Sequence, residues 1–292
     1  MATEGYAQAP GGKVWYRVVG DEHTDATPLL LLHGGPGLTS EYVDSLEALS
    51  DERPVVRYDQ LGCGRSDRPG DPSLWNVERF VEEVADVRRQ LSLGRVHILG
   101  QSWGSMLAVD YMLSAPEGVD SLILASPPLS IPRWVADTRE LLDQLPQWVR
   151  PTMEWHEKEG FTACPEYAAA VLEVYRAHLC RMRPWPLALE RSLATAGFDV
   201  YNTMWGPNEF TVTGSLADYD RTERLAKITV PVLYTCGRYD EATPNAVAWY
   251  QSLTPGSRMV VFEESAHLSH LEEAEKYIAL VRDFLRSVEA GG

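Results

Sequence analysis

The stretch GQSWGSML, residues 100–107, stands between the apolar run of residues 96–99 (VHIL) and a series of residues that a helix accepts. A serine flanked by glycines at spacing two, on a turn from strand into helix, has the form G-x-S-x-G. Small neighbours relieve crowding in a strained turn, and the serine hydroxyl projects above the strand ends. Five residues with three fixed occur readily by chance, so the strand before and the helix after give the match its weight. Ser102 is thereby the candidate nucleophile.

Working outward, short β-rich runs alternate with helical stretches as far as Pro127: VWYRVVG, PLLLLHG and PVVRYD, a helix across Val77 to Leu91, RVHILG, a helix from Trp103, and SLILAS. LLLL and HILG are apolar on consecutive residues, as expected of strands covered on both faces. The fold class expected is therefore α/β, a mostly parallel sheet covered by helices. Between about Ser130 and Thr222 strand-like runs almost vanish, and WVADTRELLDQL, PEYAAAVLEVYRAHLCRM and PLALERSLATAG take their place. The first texture then resumes with VPVLYTCG, a helix opening at Thr243 and Pro244, RMVVFE, and a last helix from about Leu271 to Val288. An α-helical cap over 130–222, inserted between core segments 1–129 and 223–292, accounts for both textures.

A serine hydroxyl is a poor nucleophile at neutral pH and needs a base oriented by an acid, which follow in this arrangement as Asp or Glu and then His. Of seven histidines, only His267 and His270 lie after RMVVFE. His267 sits in the loop itself and is the candidate base, whereas His270 adjoins the last helix as a polar residue of its first turn. Asp240 lies just beyond the carboxyl end of VLYTCG, where sites in open parallel sheets form, and is the candidate acid. Asp218 and Asp220, in the exit region of the cap, are weaker rivals. A tetrahedral intermediate also needs N–H donors. The expected ones are the amide of Trp103, next to the nucleophile, and that of Gly35 in the HGGPG loop after LLLL. His33 reads as structural.

The 292 residues are 45% hydrophobic and 23% charged, a globular composition without low-complexity tracts. Asp plus Glu number 42 against 26 Lys plus Arg, a formal charge of −16. That field repels phosphate backbones and anionic lipid, which argues against nucleic-acid or membrane-surface partners. MATEGYAQAPGGK has neither a basic segment nor an apolar one of the kind that directs export, and no window has the length of a spanning helix, so a cytoplasmic protein is expected. Cys63, Cys164, Cys180 and Cys236 contain no CxxC pair and read as reduced thiols. No metal and no cofactor are expected.

Taken together, HGGPG (33–37), DQLGCGRSD (59–67), GQSWGSMLA (100–108), GRYDEATP (237–244) and the His267 loop resemble the proline iminopeptidases of the α/β-hydrolase fold, in particular the tricorn-interacting aminopeptidase branch. The likeness runs from about Gly11 to the last helix and includes the cap segment MWGPNEFTVTGSLADYD (204–220). It implies removal of an N-terminal residue with a free α-amine through an acyl-enzyme, with Glu209 and Glu241 holding the substrate ammonium. Gln101, Trp103 and Leu61 depart from the commonest residues of that pattern, and Trp148, Trp155 and Trp185 stud the cap. Which aminoacyl residue is removed is therefore left open.

Read from the residues alone, Glu241 beside Asp240 could face the same cleft, where a lone carboxylate is costly without a cation. The lesser alternative is a carboxylate favoured by a helix N-terminus. Glu209 could be a surface charge. Tyr167, Tyr175, Trp185, Tyr201 and Trp205 could line a pocket, though helical spacing of aromatics is more often packing. Three functions use these motifs differently. An exo-acting serine peptidase, or an amidase that removes an aminoacyl protecting group from a metabolite such as a macrolactam, uses all of them. A carboxylesterase leaves both glutamates idle, and a binding protein on a hydrolase scaffold leaves the whole set idle.

Overall fold

Leu29 to Leu32 are all fully buried, and they divide between two cores: Leu29 and Leu31 face one side of the sheet, Leu30 and Leu32 the other. A strand with period-two side chains can bury every residue only when both faces are covered. The computed structural model describes residues 2–21 and 24–291 and shows that cover. Eight strands, β1 (Ala2–Ala9), β2 (Gly12–Val19), β3 (Leu29–Leu32), β4 (Val55–Tyr58), β5 (Val96–Gln101), β6 (Val119–Ala125), β7 (Val232–Gly237) and β8 (Arg258–Phe262), form one sheet in the order β1-β2-β4-β3-β5-β6-β7-β8. β1 and β2 pair antiparallel, as do β2 and β4, while all pairs from β4 to β8 are parallel.

Three helices cover one face: α1 (Val77–Gln90), α2 (Trp103–Leu113) and α8 (Pro244–Ser252), with Phe80, Val84, Leu107 and Val247 in the core. Asn76 caps α1 by accepting from the Arg79 N–H, and Thr243 caps α8 by accepting from Ala246, with Pro244 at the first helical position. The other face is covered by a 3₁₀ segment, Ser40–Asp51, and by α10 (Ala274–Ala290), through Tyr42, Leu46, Tyr277 and Phe284. Each large apolar side chain so buried stabilises the fold by about 1.5–3 kcal/mol.

Between β6 and β7 lie α3 (Ile131–Leu142), α4 (Val149–Glu159), α5 (Pro165–His178), α6 (Leu187–Ala194) and α7 (Phe198–Met204). Val149, Met153, Tyr167, Ala170, Val174 and Phe210 form a small core of their own. The insertion is nonetheless joined to the main body, because Val200 and Met204 enter one large core and Cys180 and Leu189 the other. Ser192 Oγ accepts from Thr39 N–H, and Gly197 N–H donates to Gly37 O at 2.7 Å. Asp220 ties the two ends of the insertion together by accepting from Ser130 Oγ and Thr222 N–H.

Several elements were not anticipated from the sequence. β1 has no apolar run, since only Ala7 and Ala9 of its eight residues are buried. The Ser40–Asp51 segment, α4 and α7 were also absent from the reading. The expected last helix is broken at Glu273, giving α9 (Ser269–Glu272) and then α10. Among the described residues no helix is long and apolar enough to cross a membrane, and no cluster of His, Cys, Asp or Glu could hold a metal ion. All four cysteines are unpaired.

Candidate active site

Ser102 joins β5 to α2 with φ 55° and ψ −121°, a conformation that side-chain-bearing residues rarely adopt. The flanking glycines make this turn possible. A Cβ on Gly100 would lie 2.1 Å from Gly104 O, and one on Gly104 would lie 2.0 Å from Leu32 O. The Ser102 N–H donates to Ala125 O at 2.8 Å, pinning the turn to the end of β6. Trp103, the first residue of α2, has a backbone N–H with no acceptor within its own helix.

The HGGPG loop leaves the end of β3 beside this turn, and Gly35 has φ +116°. His33 is fully buried and its ring is held at both nitrogens: Nε2 accepts from the Gln60 N–H at 3.0 Å, so Nδ1 carries the proton donated to Gly34 O at 2.9 Å. Gln60 also donates through Nε2 to His33 O, and its Oε1 accepts from Trp103 Nε1 at 2.8 Å. The DQLGCG segment thus ties the HGGPG loop to the helix that carries the turn.

His267 is buried, and its Nδ1–H donates to Asp240 Oδ1 at 2.7 Å, which leaves Nε2 as the free lone pair. Asp240 has every acceptor position engaged. Oδ1 also accepts from Ala242 N–H at 2.7 Å, and Oδ2 accepts from Ser126 Oγ at 2.6 Å and Gly237 N–H at 3.2 Å. Ser126 Oγ stands 3.0 Å from His267 O as well, so one hydroxyl touches both acid and base segments. Glu272 accepts from Ala266 N–H and Glu273 from Glu264 N–H and Ser265 Oγ. These bonds hold the loop before His267, and they come from the two residues at which the last helix breaks.

A cavity of about 180 Å³ opens on these groups, with Ser102, His267, Gly35 and Glu209 in its wall. The rest is mainly apolar, from Leu38, Leu179, Leu189 and Leu193. Glu209 is buried, accepts from Tyr201 Oη at 2.9 Å, and is held at its backbone carbonyl by Trp134 Nε1. Burial pushes its carboxyl from an ordinary 4.5 to about 7, partly offset by His267 and the Tyr201 hydrogen bond. Glu241 has both carboxylate oxygens buried without a partner, Oε1 lying 3.7 Å from His267 Nε2. Burial, then the charges of Glu209 and Asp240, push it well above the usual carboxylate range.

Ser102, His267, Asp240, Gly35, Trp103, Glu209 and Glu241 are therefore one neighbourhood. Asp218 and Asp220 are exposed and outside it. His270 does not line the cavity. It is not an exposed first-turn residue either: it is buried, its Nε2 donates to Tyr42 O at 3.0 Å, and burial lowers its pKa to about 4. Of the insertion aromatics, Tyr175 and Tyr201 line the cavity, while Trp205 packs edge-on against Trp134 and Trp185 against the second core. Ser126, Gln60, Glu272 and Glu273 were missed. Ser126 alone had a local signal, a polar residue at the carboxyl end of a buried strand.

The α/β hydrolase fold family matches residues 27–274. The chain is 48% identical to a proline iminopeptidase of Heyndrickxia coagulans, over 99% of this chain and 100% of that one. A Lactobacillus helveticus proline iminopeptidase is 38% identical over 97% of each chain. Among solved structures, a proline iminopeptidase of Mycobacterium smegmatis matches with TM-score 0.92 at 37% identity, covering 99% of both chains. VinJ matches with TM-score 0.95, also at 37% identity, over 98% of this chain and 99% of that one. Fold and relatives together make the protein a hydrolase of the α/β-hydrolase class. Within that class, the chain belongs to the proline iminopeptidase family.

Proposed function

We propose that the protein is a serine aminopeptidase or amidase that removes an aminoacyl residue with a free α-amine from a peptide or amide. The observation that carries this reading is the pair of buried carboxylates, Glu209 and Glu241, beside Ser102 and His267. Glu209 has one hydrogen bond, from Tyr201, and Glu241 has none, so neither buried charge is balanced by a cation of the protein that bonds to it, and a substrate ammonium supplies one. An esterase acting on neutral substrates has no use for them.

In this mechanism His267 Nε2 accepts the Ser102 hydroxyl proton as Oγ attacks the scissile carbonyl, and Asp240 stabilises the resulting imidazolium. The N–H groups of Trp103 and Gly35 receive the oxyanion. The imidazolium then gives its proton to the leaving amine. Water, deprotonated by His267, releases the acyl group and restores Ser102. The 130–222 insertion closes over the strand ends as a cap and contributes Glu209 from the turn after α7. The unpaired cysteines favour a reducing, cytoplasmic setting.

A second reading keeps the chemistry and changes the leaving group to the amine of a bulky apolar metabolite such as a macrolactam. It is favoured by the leucine-rich wall and by Phe198, which lines the cavity while 57% exposed. The test is a panel of aminoacyl 4-nitroanilides beside their N-acetyl forms and simple nitrophenyl esters, with Ser102→Ala as control. Cleavage confined to free-amine amides and lost in Ser102→Ala supports the proposal. Ester turnover indifferent to an amine makes it an esterase.

A further inference from the structure

The two segments that must face Ser102 from opposite sides, the HGGPG loop and the His267 loop, are joined by side chains that the mechanism leaves unused. Gly34 N–H donates to Tyr42 Oη at 2.5 Å, Tyr42 Oη–H donates to Gln101 Oε1 at 2.5 Å, and Gln101 Nε2–H donates to His267 O at 3.2 Å. The direction of every bond is forced. The His267 carbonyl can only accept, so the amide nitrogen of Gln101 must face it and the amide oxygen must face Tyr42. The phenol therefore donates to Gln101 and accepts from Gly34.

Gln101 immediately precedes Ser102, so the chain of bonds passes through the turn itself. We propose that Tyr42 and Gln101 are positioning residues whose side chains form one strap that sets the distance between the oxyanion loop, the nucleophile turn and the base. The inference rests on the reading of Ser102 and His267 given above.

Three further observations support the strap as a built device. Tyr42, Gln101 and Gly34 are all buried, where a polar group without a partner is costly. A Cβ on Gly34 would lie 2.8 Å from both Gln101 Oε1 and Tyr42 Oη, so this first glycine of HGGPG makes room for the strap. Tyr42 is in turn fixed from behind, since the His270 ring donates to its carbonyl and packs on its phenol ring at 5.6 Å. Burial also keeps the phenol protonated, as a donor must be.

The test uses Tyr42→Phe, Gln101→Met and the double variant of the full-length enzyme. Two reactions are read: hydrolysis of the best aminoacyl 4-nitroanilide, and labelling by a fluorophosphonate, which also forms a tetrahedral adduct at Ser102. Misplacement by about 1 Å costs about 100-fold in rate, and loss of an oxyanion donor costs as much or more. Each single variant is therefore expected to lose about 10- to 100-fold in kcat and in the maximal labelling rate, with KM and the inhibitor's binding constant within about twofold.

Because either substitution breaks the same strap, the double variant is expected to be no slower than the slower single one. Wild-type kcat in both single variants overturns the proposal, as do losses that multiply in the double variant. A fall in melting temperature with kcat intact also overturns it, because that is a purely structural role. If Gln101→Met fails to fold, Tyr42→Phe, which removes the phenol hydroxyl and with it both bonds that the hydroxyl makes, tests the strap by itself. Its wild-type kcat would count against the strap equally. Ser102→Ala separates the two levels of inference. Activity retained there overturns the site itself, whereas an inactive Ser102→Ala beside a fully active Tyr42→Phe overturns the strap alone.

Discussion

Replacing Glu209 by Gln is expected to make the protein more stable and less active at the same time. The carboxyl is raised from 4.5 to about 7 by burial, so the folded state holds its proton more tightly than the unfolded chain does. Ionisation then opposes folding: stability contributed by the protonated form is complete below about pH 4.5 and is lost as pH rises through about 7. At about 1.4 kcal/mol for each tenfold change in proton affinity, holding the proton up to about pH 7 corresponds to roughly 3 kcal/mol. Glutamine keeps the size and the bond from Tyr201 without the charge, so Glu209→Gln should exceed wild type by up to about 3 kcal/mol at pH 8. For a chain of this size that is several degrees in melting temperature. The gain should vanish near pH 4.5. On a free-amine substrate, kcat/KM should fall about 30-fold or more, the effect of losing about 2 kcal/mol from a desolvated charge pair, while a small neutral ester is hydrolysed at nearly the original rate. Melting curves from pH 4.5 to 8, with both substrates assayed at pH 8, decide the matter. A stability gain equal at both ends of the pH range, or equal activity losses on both substrates, refutes the reasoning.

Further outcomes follow from the same geometry. His267→Ala should lower kcat as far as Ser102→Ala, by about 10⁴-fold or more, whereas His270→Ala should keep measurable turnover and lose about 2 kcal/mol or more of stability; the reverse order in steady-state assays would identify His270 as the base. Gly104→Ala, with its Cβ 2.0 Å from Leu32 O, should destabilise by about 3 kcal/mol or more in urea titrations. Gly160→Ala meets nothing within 4 Å and pays only for its φ of +75°, about 1 kcal/mol. The ratio of kcat/KM for a free-amine amide to that for a neutral ester should fall as pH drops below about 7, because protonation of Glu209 removes charge that the ammonium needs. A ratio independent of pH would show that Glu209 does not meet the amine.

The parallel sheet was legible because its strands are buried on both faces. A run such as LLLL admits few other readings, and the strand, turn and helix around Ser102 carry their own punctuation in Gly100 and Gly104. β1 was not legible, since an edge strand held by backbone pairing to β2 needs few apolar residues. α4 and α7 escaped for a related reason: they complete cores built by distant segments, and residues such as Val200 and Met204 show no local period that announces this. Within the site, the residues tied to motifs and to chain order could be named in advance. The ones that hold them in place could not. Ser126 and Gln60 act by contacts across the fold and Glu272 and Glu273 by folding back on the loop just before them, and nothing in their immediate sequence says which backbone groups they will meet.

The position of the two glutamates gives the insertion a physical role beyond covering the site. Glu241 follows the end of β7 in the core, while Glu209 comes from the segment after α7, fixed by Trp134 and Tyr201 of the insertion itself. Burial is the first cause that raises both carboxyls above their ordinary titration range, and for Glu241 the charge of Glu209 is the next. Removing water from this place makes an unpaired negative charge unfavourable, and by the same argument makes the pairing of that charge with an ammonium strong. The folding free energy forgone in the empty enzyme and the preference for a free amine are thus two readings of one interaction. A substrate whose amine is acetylated fills the cavity without relieving the charge, and discrimination against it should weaken at low pH, where Glu209 is already neutral.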